Sequence, residues 1–216
     1  MSRQFSRRDF VSLTTAAAGA IATKAIVLDP TPIWALPQTV GPSDRVRFGI
    51  IGIGMQGSGL MASSLQLPGI ECAAACDLYD GRHTLAREIA NSPSLPVTRR
   101  YQDLLDNKEI DCIIAAVPDH WHKQIVVDTL NAGKDVYCEK PMSHSPSDGV
   151  DMVATEKKTG RIVQVGSQRV SSALLTKARE LVHDGVLGDL MMVEGVLGRN
   201  DPNGAWEYPP PPDLSL

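Results

Sequence analysis

From Arg45 onward, short apolar runs alternate with segments of helical spacing, which is the pattern of a parallel sheet covered by helices on both faces. The runs predict strands over 46–51, 71–76, 110–117, 135–138 and 162–165, with a weaker short one at 97–98. Between them the spacing predicts helices over 57–67, 82–91 and 121–131, stopped by Pro68, Pro93 and Gly133. Two more, over 147–159 and 174–184, close at Gly160 and Gly185, where a glycine ends a helix without strain. The expected fold is a Rossmann-type, doubly wound parallel α/β domain over residues 45–188, with right-handed connections. One further strand is predicted over 190–197, before a tail with five prolines in residues 202–216. A lone strand buries no face, so residues 189–216 read as the beginning of a second, α+β domain in an incomplete chain.

The N-terminal residues follow a different rule. Residues 6–10 read Ser-Arg-Arg-Asp-Phe, ahead of a weakly apolar stretch over 11–22 and the Pro-rich segment DPTPIWALPQ. Charge, then apolar region, then exit linker is the order of an export signal. The paired arginines resemble the bacterial twin-arginine signal, which implies a periplasmic or exported product and the twin-arginine machinery as a partner. The alternative is an ordinary basic helix. Residues 1–35 are therefore set apart from the fold as signal and linker.

Composition narrows the function. The net charge is −4 over 216 residues, and the basic N-terminus leaves −7 for residues 25–216, so general nucleic-acid binding is disfavoured. No run reaches the ~18 apolar residues of a stable membrane span. Cys72, Cys76, Cys112 and Cys138 each sit in a strand-like run without metal-ligand spacing. They read as buried thiols, with a disulfide as the alternative in an oxidising compartment.

The strand at 46–51 runs into Gly52-Ile53-Gly54-Met55-Gln56-Gly57-Ser58-Gly59, a GxGxxG loop between a strand and a helix. Gly52 allows the tight turn, Gly54 lets backbone amides reach a pyrophosphate, and Gly57 lets the helix pack closely. The helix start offers unpaired N–H groups and the positive end of its dipole. The second strand ends at Asp77, twenty positions after Gly57, where a carboxylate accepts hydrogen bonds from a ribose diol and repels a 2′-phosphate. That favours NAD over NADP. Arg82 is the reservation, being either a phosphate partner or an exposed first-turn arginine, and Asp77 has the alternative of a turn or helix-capping role.

Two further motifs follow strands: Pro118-Asp119-His120-Trp121-His122 and Glu139-Lys140-Pro141. Open parallel sheets bind ligands at these carboxyl ends. Lys140 is either a surface residue or a group that holds a substrate hydroxyl and moves its proton. Glu139 is its ion-pair partner or solvent-exposed. His120 and His122 stand two apart, so they share no helical face and no metal site is expected.

Together the glycine loop, Asp77, PDHWH at 118–122 and EKP at 139–141 resemble the Gfo/Idh/MocA family, named for glucose–fructose oxidoreductase and inositol dehydrogenase, over about residues 45–197. The resemblance implies NAD, with NADP as the alternative, and hydride transfer at a sugar or polyol carbon. It assigns Lys140 as the catalytic residue and Gly52, Gly54, Met55, Gln56, Gly57, Asp77, Pro118, His122 and Glu139 to the cofactor. His120 and His122 have loop packing as their alternative. Arg169, in the segment Gly166-Ser167-Gln168-Arg169, is equally a substrate contact or a surface residue. The family also implies a second domain that completes the substrate site and pairs subunits into a homo-oligomer. Three functions remain open: a sugar or polyol oxidoreductase, an NAD-dependent glycoside hydrolase, and a non-catalytic nucleotide-binding fragment.

Overall fold

A computed structural model describes residue 41, residues 44–196 and residue 198. The chain divides into two units, Met1–Pro37 and Gln38–Leu216, and every described residue belongs to the second. The expected signal and linker at 1–35 and the Pro-rich tail lie outside the described residues.

The elements alternate as expected. β1 (Val46–Ile51) is followed by α1 (Met55–Ser64), β2 (Ile70–Cys76), α2 (Asp80–Ile89), β3 (Val97–Thr98), α3 (Tyr101–Asp106) and β4 (Cys112–Ala115). After a short 3₁₀ turn at Asp119–Trp121 come α4 (His122–Asn131), β5 (Asp135–Glu139), α5 (Pro146–Thr159), β6 (Val163–Gly166) and α6 (Ala173–His183). The six strands form one parallel sheet in the order β3-β2-β1-β4-β5-β6. The order reverses between β1 and β4, so two loops diverge there and leave a crevice at the carboxyl edge.

Alternation along the strands makes two cores, one per face. Phe48, Ile50 and Ile114 face α1 and α2, where they meet Ile53, Met61 and Leu95. Ile51, Ile113, Ala115, Val136 and Cys138 face the opposite side, against Leu104, Val126, Leu130 and Met152. In α4 the buried positions His122, Ile125, Val126, Thr129 and Leu130 follow i, i+3, i+4, i+7, i+8, a single helical stripe. Ser145 caps α5, accepting a hydrogen bond from the Asp148 N–H, and Pro146 stands in the first turn. Gly160, at φ 63°, closes that helix in the left-handed conformation.

Three differences from the sequence reading have local causes. α3 was not foreseen, because six residues are too few to display a helical period; Tyr101 anchors it through a 2.6 Å hydrogen bond to Asp128 of α4. The fourth strand is confined to Cys112–Ala115; before it, the Ile110 carbonyl accepts from the buried Lys134 Nζ at 2.8 Å instead of a neighbouring strand. The strand expected over 190–197 is absent from residues 190–196, which are exposed; among the described residues no strand lies beside them to receive their backbone hydrogen bonds. All four cysteines are free thiols, Cys76 and Cys138 buried and Cys72 and Cys112 half-buried, so the disulfide alternative is not adopted.

Burial pushes the thiols of Cys72, Cys76 and Cys138 up to about 12 and that of Cys112 up to about 11. Above the ordinary value of 9.0 the unfolded chain has released thiol protons that the folded chain retains. Stability supplied by the neutral thiols is therefore complete below pH 9.0 and is lost as pH rises toward 11–12. Denaturation midpoints measured across pH 8–11 should fall, and alanine at Cys76 and Cys138 should flatten the slope.

Candidate functional site

The site begins where β1 ends. Gly52 turns the chain at φ 88° and donates its N–H to the Cys76 carbonyl at 2.8 Å. Any side chain here would collide with the β4 exit, since a Cβ on Gly52 would lie 2.4 Å from the Ala116 carbonyl oxygen. A Cβ on Gly57 would lie 1.9 Å from the Gly52 carbonyl oxygen. Gly54 differs, because no atom lies within 4 Å of the position its Cβ would occupy. Its smallness is required by nothing in the protein itself, and the space beside it opens on the cleft. Met55, Gln56 and Gly57 precede the first intrahelical bond, from the Ser58 N–H to the Gly54 carbonyl at 2.9 Å. Their N–H groups have no partner inside the helix and sit at the positive end of its dipole.

Asp77 follows β2. Its Oδ2 accepts from the Ile53 N–H at 2.7 Å and its Oδ1 from the Tyr79 N–H at 2.9 Å. The carboxylate thus fixes both the glycine loop and the turn into α2, and a second lone pair on each oxygen remains for another donor. The turn role expected as its alternative is real, and it coexists with a position in the cleft wall.

A cavity of about 460 Å³ extends from the loop along the carboxyl edge of the sheet. Gly52, Gly54 and Asp77 form one part of its wall, Ala116, Val117 and Pro118 another, and Arg99 to Gln102 with Trp121 a third. The third group was missed from sequence. The signal for it was the two-residue strand at 97–98: residues just after a strand belong to the ligand edge, however short the strand. Arg82, the arginine singled out instead, does not line this cavity. Arg99 does, and it pairs with Asp80 through two hydrogen bonds of 2.8 and 2.9 Å. The hydrogen bonds from Arg99 hold the Asp80 carboxyl below the usual carboxylate range and raise Arg99 in turn.

The EKP segment departs from expectation at Glu139. It is neither exposed nor paired with Lys140: it is only 4% exposed, with Oε1 accepting from the Gln56 side-chain amide at 2.9 Å and Oε2 from the Lys140 N–H at 3.0 Å. A residue from the glycine loop and one from the end of β5 are thereby tied across the crevice. Lys140 itself is exposed at the sheet's carboxyl edge, and the Lys140–Pro141 peptide is cis.

His122 lies behind the cleft. The residue is 1% exposed, with Nδ1 2.6 Å from the Pro141 carbonyl oxygen and Nε2 2.9 Å from that of Val117. Both nitrogens face backbone carbonyls, and the buried ring packs behind two cleft loops, outside the cavity wall. His120 is exposed beside Trp121, their ring centroids 6.2 Å apart. Arg169 adopts φ 67°, is exposed and lies outside the cavity wall. No group of residues fit to hold a metal occurs among the described residues, and no helix there is long and apolar enough to cross a membrane.

A glycine loop under a helix N-terminus, a carboxylate after the second strand and a crevice at the strand-order reversal define a dinucleotide-binding α/β domain. Residues 46–167 match the GFO_IDH_MocA family, described as an oxidoreductase family with an NAD-binding Rossmann fold, and the chain belongs to that family. It is 31% identical over 152 residues to inositol 2-dehydrogenase of Salmonella typhimurium, covering 69% of this chain and 45% of the relative. A glycosyl hydrolase family 109 protein of Shewanella pealeana is 27% identical over 172 residues, or 72% and 38% of the two chains. Among solved structures, myo-inositol 2-dehydrogenase from Lactobacillus plantarum superposes with a TM-score of 0.61 at 27% identity, over 67% of this chain and 42% of that one. The chain spans less than half the length of these relatives.

The two glycines separate folding from binding. Gly57→Ala should lower unfolding stability by about 1–3 kcal/mol or more through overpacking, read from a denaturant titration. Gly54→Val, whose backbone lies in the extended region, should leave that titration unchanged while weakening NADH binding at least about tenfold, a difference of 1.4 kcal/mol. Unchanged NADH affinity in Gly54→Val would remove the pyrophosphate assignment.

Proposed function

We propose that this chain is the nucleotide-binding part of an exported, NAD-dependent oxidoreductase that transfers hydride at a carbinol carbon of a sugar or polyol. The observation that carries the reading is the open space at Gly54, beside three helix-start N–H groups and within the same wall as Asp77. The opening lies in the cleft wall at a helix start, where a diphosphate suits the site in charge and hydrogen bonding. The residues therefore fit a dinucleotide: the loop amides receive the pyrophosphate and Asp77 the adenosine ribose.

When bound, the nicotinamide supplies the hydride acceptor, which no side chain can provide. The work left to the chain is positioning and proton handling. Lys140 is exposed where β5 reaches the crevice and takes the role of receiving the proton of the substrate hydroxyl. Glu139 holds the Lys140 backbone N–H and receives the Gln56 amide, fixing this lysine relative to the glycine loop. His122 ties the Pro141 and Val117 carbonyls into one rigid edge.

The polyol class is supported by the inositol dehydrogenases among the relatives, and the hydrolase relative keeps glycoside cleavage as the competing outcome. Oxidation of a polyol with equimolar NADH formation supports the first; release of a sugar with no net NADH supports the second. Export rests on Ser6-Arg7-Arg8-Asp9-Phe10. Lysines at both arginines should abolish appearance in the periplasm of the native host, and unimpaired appearance would end that part of the proposal.

Binding is testable directly. Trp121 stands in the cavity wall with 45% of its surface exposed, so excitation of tryptophan should give sensitised NADH emission that Trp121→Phe reduces. Asp77→Ala should narrow the NADH-over-NADPH preference, because the group that binds the diol and repels the phosphate is gone. An unaltered preference would place discrimination elsewhere.

A further inference from the structure

The parallel register of β2 and β3 sets Ala75 opposite Val97 and Cys76 opposite Thr98, and the Asp77 N–H donates to the Thr98 carbonyl at 3.1 Å. The next residue on that side is Arg99. An arginine therefore emerges beside the carboxylate assigned to the ribose, and both residues line the cavity. A guanidinium in this place is the group that a ribose 2′-phosphate would recruit, since its planar fork matches phosphate oxygens two at a time.

That fork is already engaged. Arg99 Nε donates to Asp80 Oδ1 at 2.8 Å and Nη2 to Oδ2 at 2.9 Å, so one carboxylate takes two parallel hydrogen bonds. His83 Nδ1 lies 3.5 Å from the same Oδ1 of Asp80. The same imidazole reaches the Asp77 carbonyl oxygen through Nε2 at 2.9 Å. Asp80, at the start of α2, thus sits between the ribose-binding turn and the arginine.

We propose that Asp80 is a specificity-determining residue: by latching Arg99 onto α2 it withholds the guanidinium from a 2′-phosphate, and so enforces preference for NAD over NADP. The inference rests on the dinucleotide reading of the cleft. Asp77 and Asp80 act on the same phosphate in different ways, the first by direct repulsion and the second by occupying its natural partner. The latch is exposed, with side-chain exposures of 61% for Arg99 and 69% for Asp80, and exposed ion pairs are weak. Removing one negative charge is therefore enough to release the arginine. Of the neighbouring cations, Arg100 also lines the cavity but lies 3.7 Å from Asp103, and Arg82 is outside the cavity wall.

The test compares the full chain with D80N, R99Q and the double variant, titrated with NADH and with NADPH at one fixed ionic strength. D80N should tighten NADPH binding by about three- to tenfold and move NADH by less than about twofold. Adding R99Q to D80N should return NADPH affinity to the starting value, the coupling expected of a pair acting as one unit. R99Q alone should bind NADPH no more tightly than the starting chain, because it removes the group the phosphate would recruit and leaves the Asp80 charge unpaired. An unchanged preference in D80N overturns the proposal. So does a gain that survives R99Q, which would mean that only the charge of Asp80 itself mattered, and so does tighter NADPH binding in R99Q alone. Absence of NADH binding by the unaltered chain would instead overturn the dinucleotide reading and the latch with it.

Discussion

A backbone contact that admits no side chain spaces everything at the carboxyl edge of the sheet. The Gly52 carbonyl lies 1.9 Å from where a Cβ of Gly57 would stand, and the Ala116 carbonyl 2.4 Å from that of Gly52. The start of α1, the end of β1 and the exit of β4 are therefore held at a distance that only glycine permits. Excess volume here cannot be absorbed by a rotamer change, because the opposing atoms are main chain. The helix dipole, the cleft wall and the crossing from Gln56 to Glu139 all take their positions from this contact.

Polar groups then fasten what packing has placed. Asp77 and Glu139 each use both carboxylate oxygens on neighbouring backbone or amide donors, and the buried His122 ring is set between the Pro141 and Val117 carbonyls. Lys134, only 4% exposed, spans the carbonyls of Asn107 and Ile110, and burial lowers its affinity for a proton. Groups so fully occupied are rigid, which is what a site assembled from several loops requires. Lys140 and Arg99 contrast with them: both are exposed, and their terminal groups reach toward solvent or an exposed partner.

The sheet was legible because its signal is local: apolar runs, glycine stops and a GxGxxG loop declare themselves within a dozen residues. The glycine loop and Asp77 were legible for the same reason, since sequence spacing alone sets them at adjacent strand ends. What the sequence concealed depends on residues brought together from far apart. Glu139 reads as a surface acid beside a lysine until the Gln56 amide, 83 positions away, is seen to donate to it. His122 reads as a cleft residue until Pro141 and Val117 are seen to enclose it. Arg99 follows a strand of two residues, too short for its place at the ligand edge to stand out, and its pairing with Asp80 crosses 19 positions.

The central position of β1 also bears on the order in which the molecule assembles. Its pairing with β2 closes a short βαβ unit, whereas its pairing with β4 is anchored by the Arg47 N–H on Asp111, 64 positions away. Loop closure costs more entropy at that separation, and the long-range pair gains its contacts only after the cost is met. A chain emerging from the ribosome can complete the glycine loop and Asp77 early, yet the Ala116 wall that gives the loop its spacing arrives only with the second half. Dinucleotide binding thus reports on joining of the two halves, and slow joining would show itself as delayed recovery of ligand affinity behind recovery of helix content.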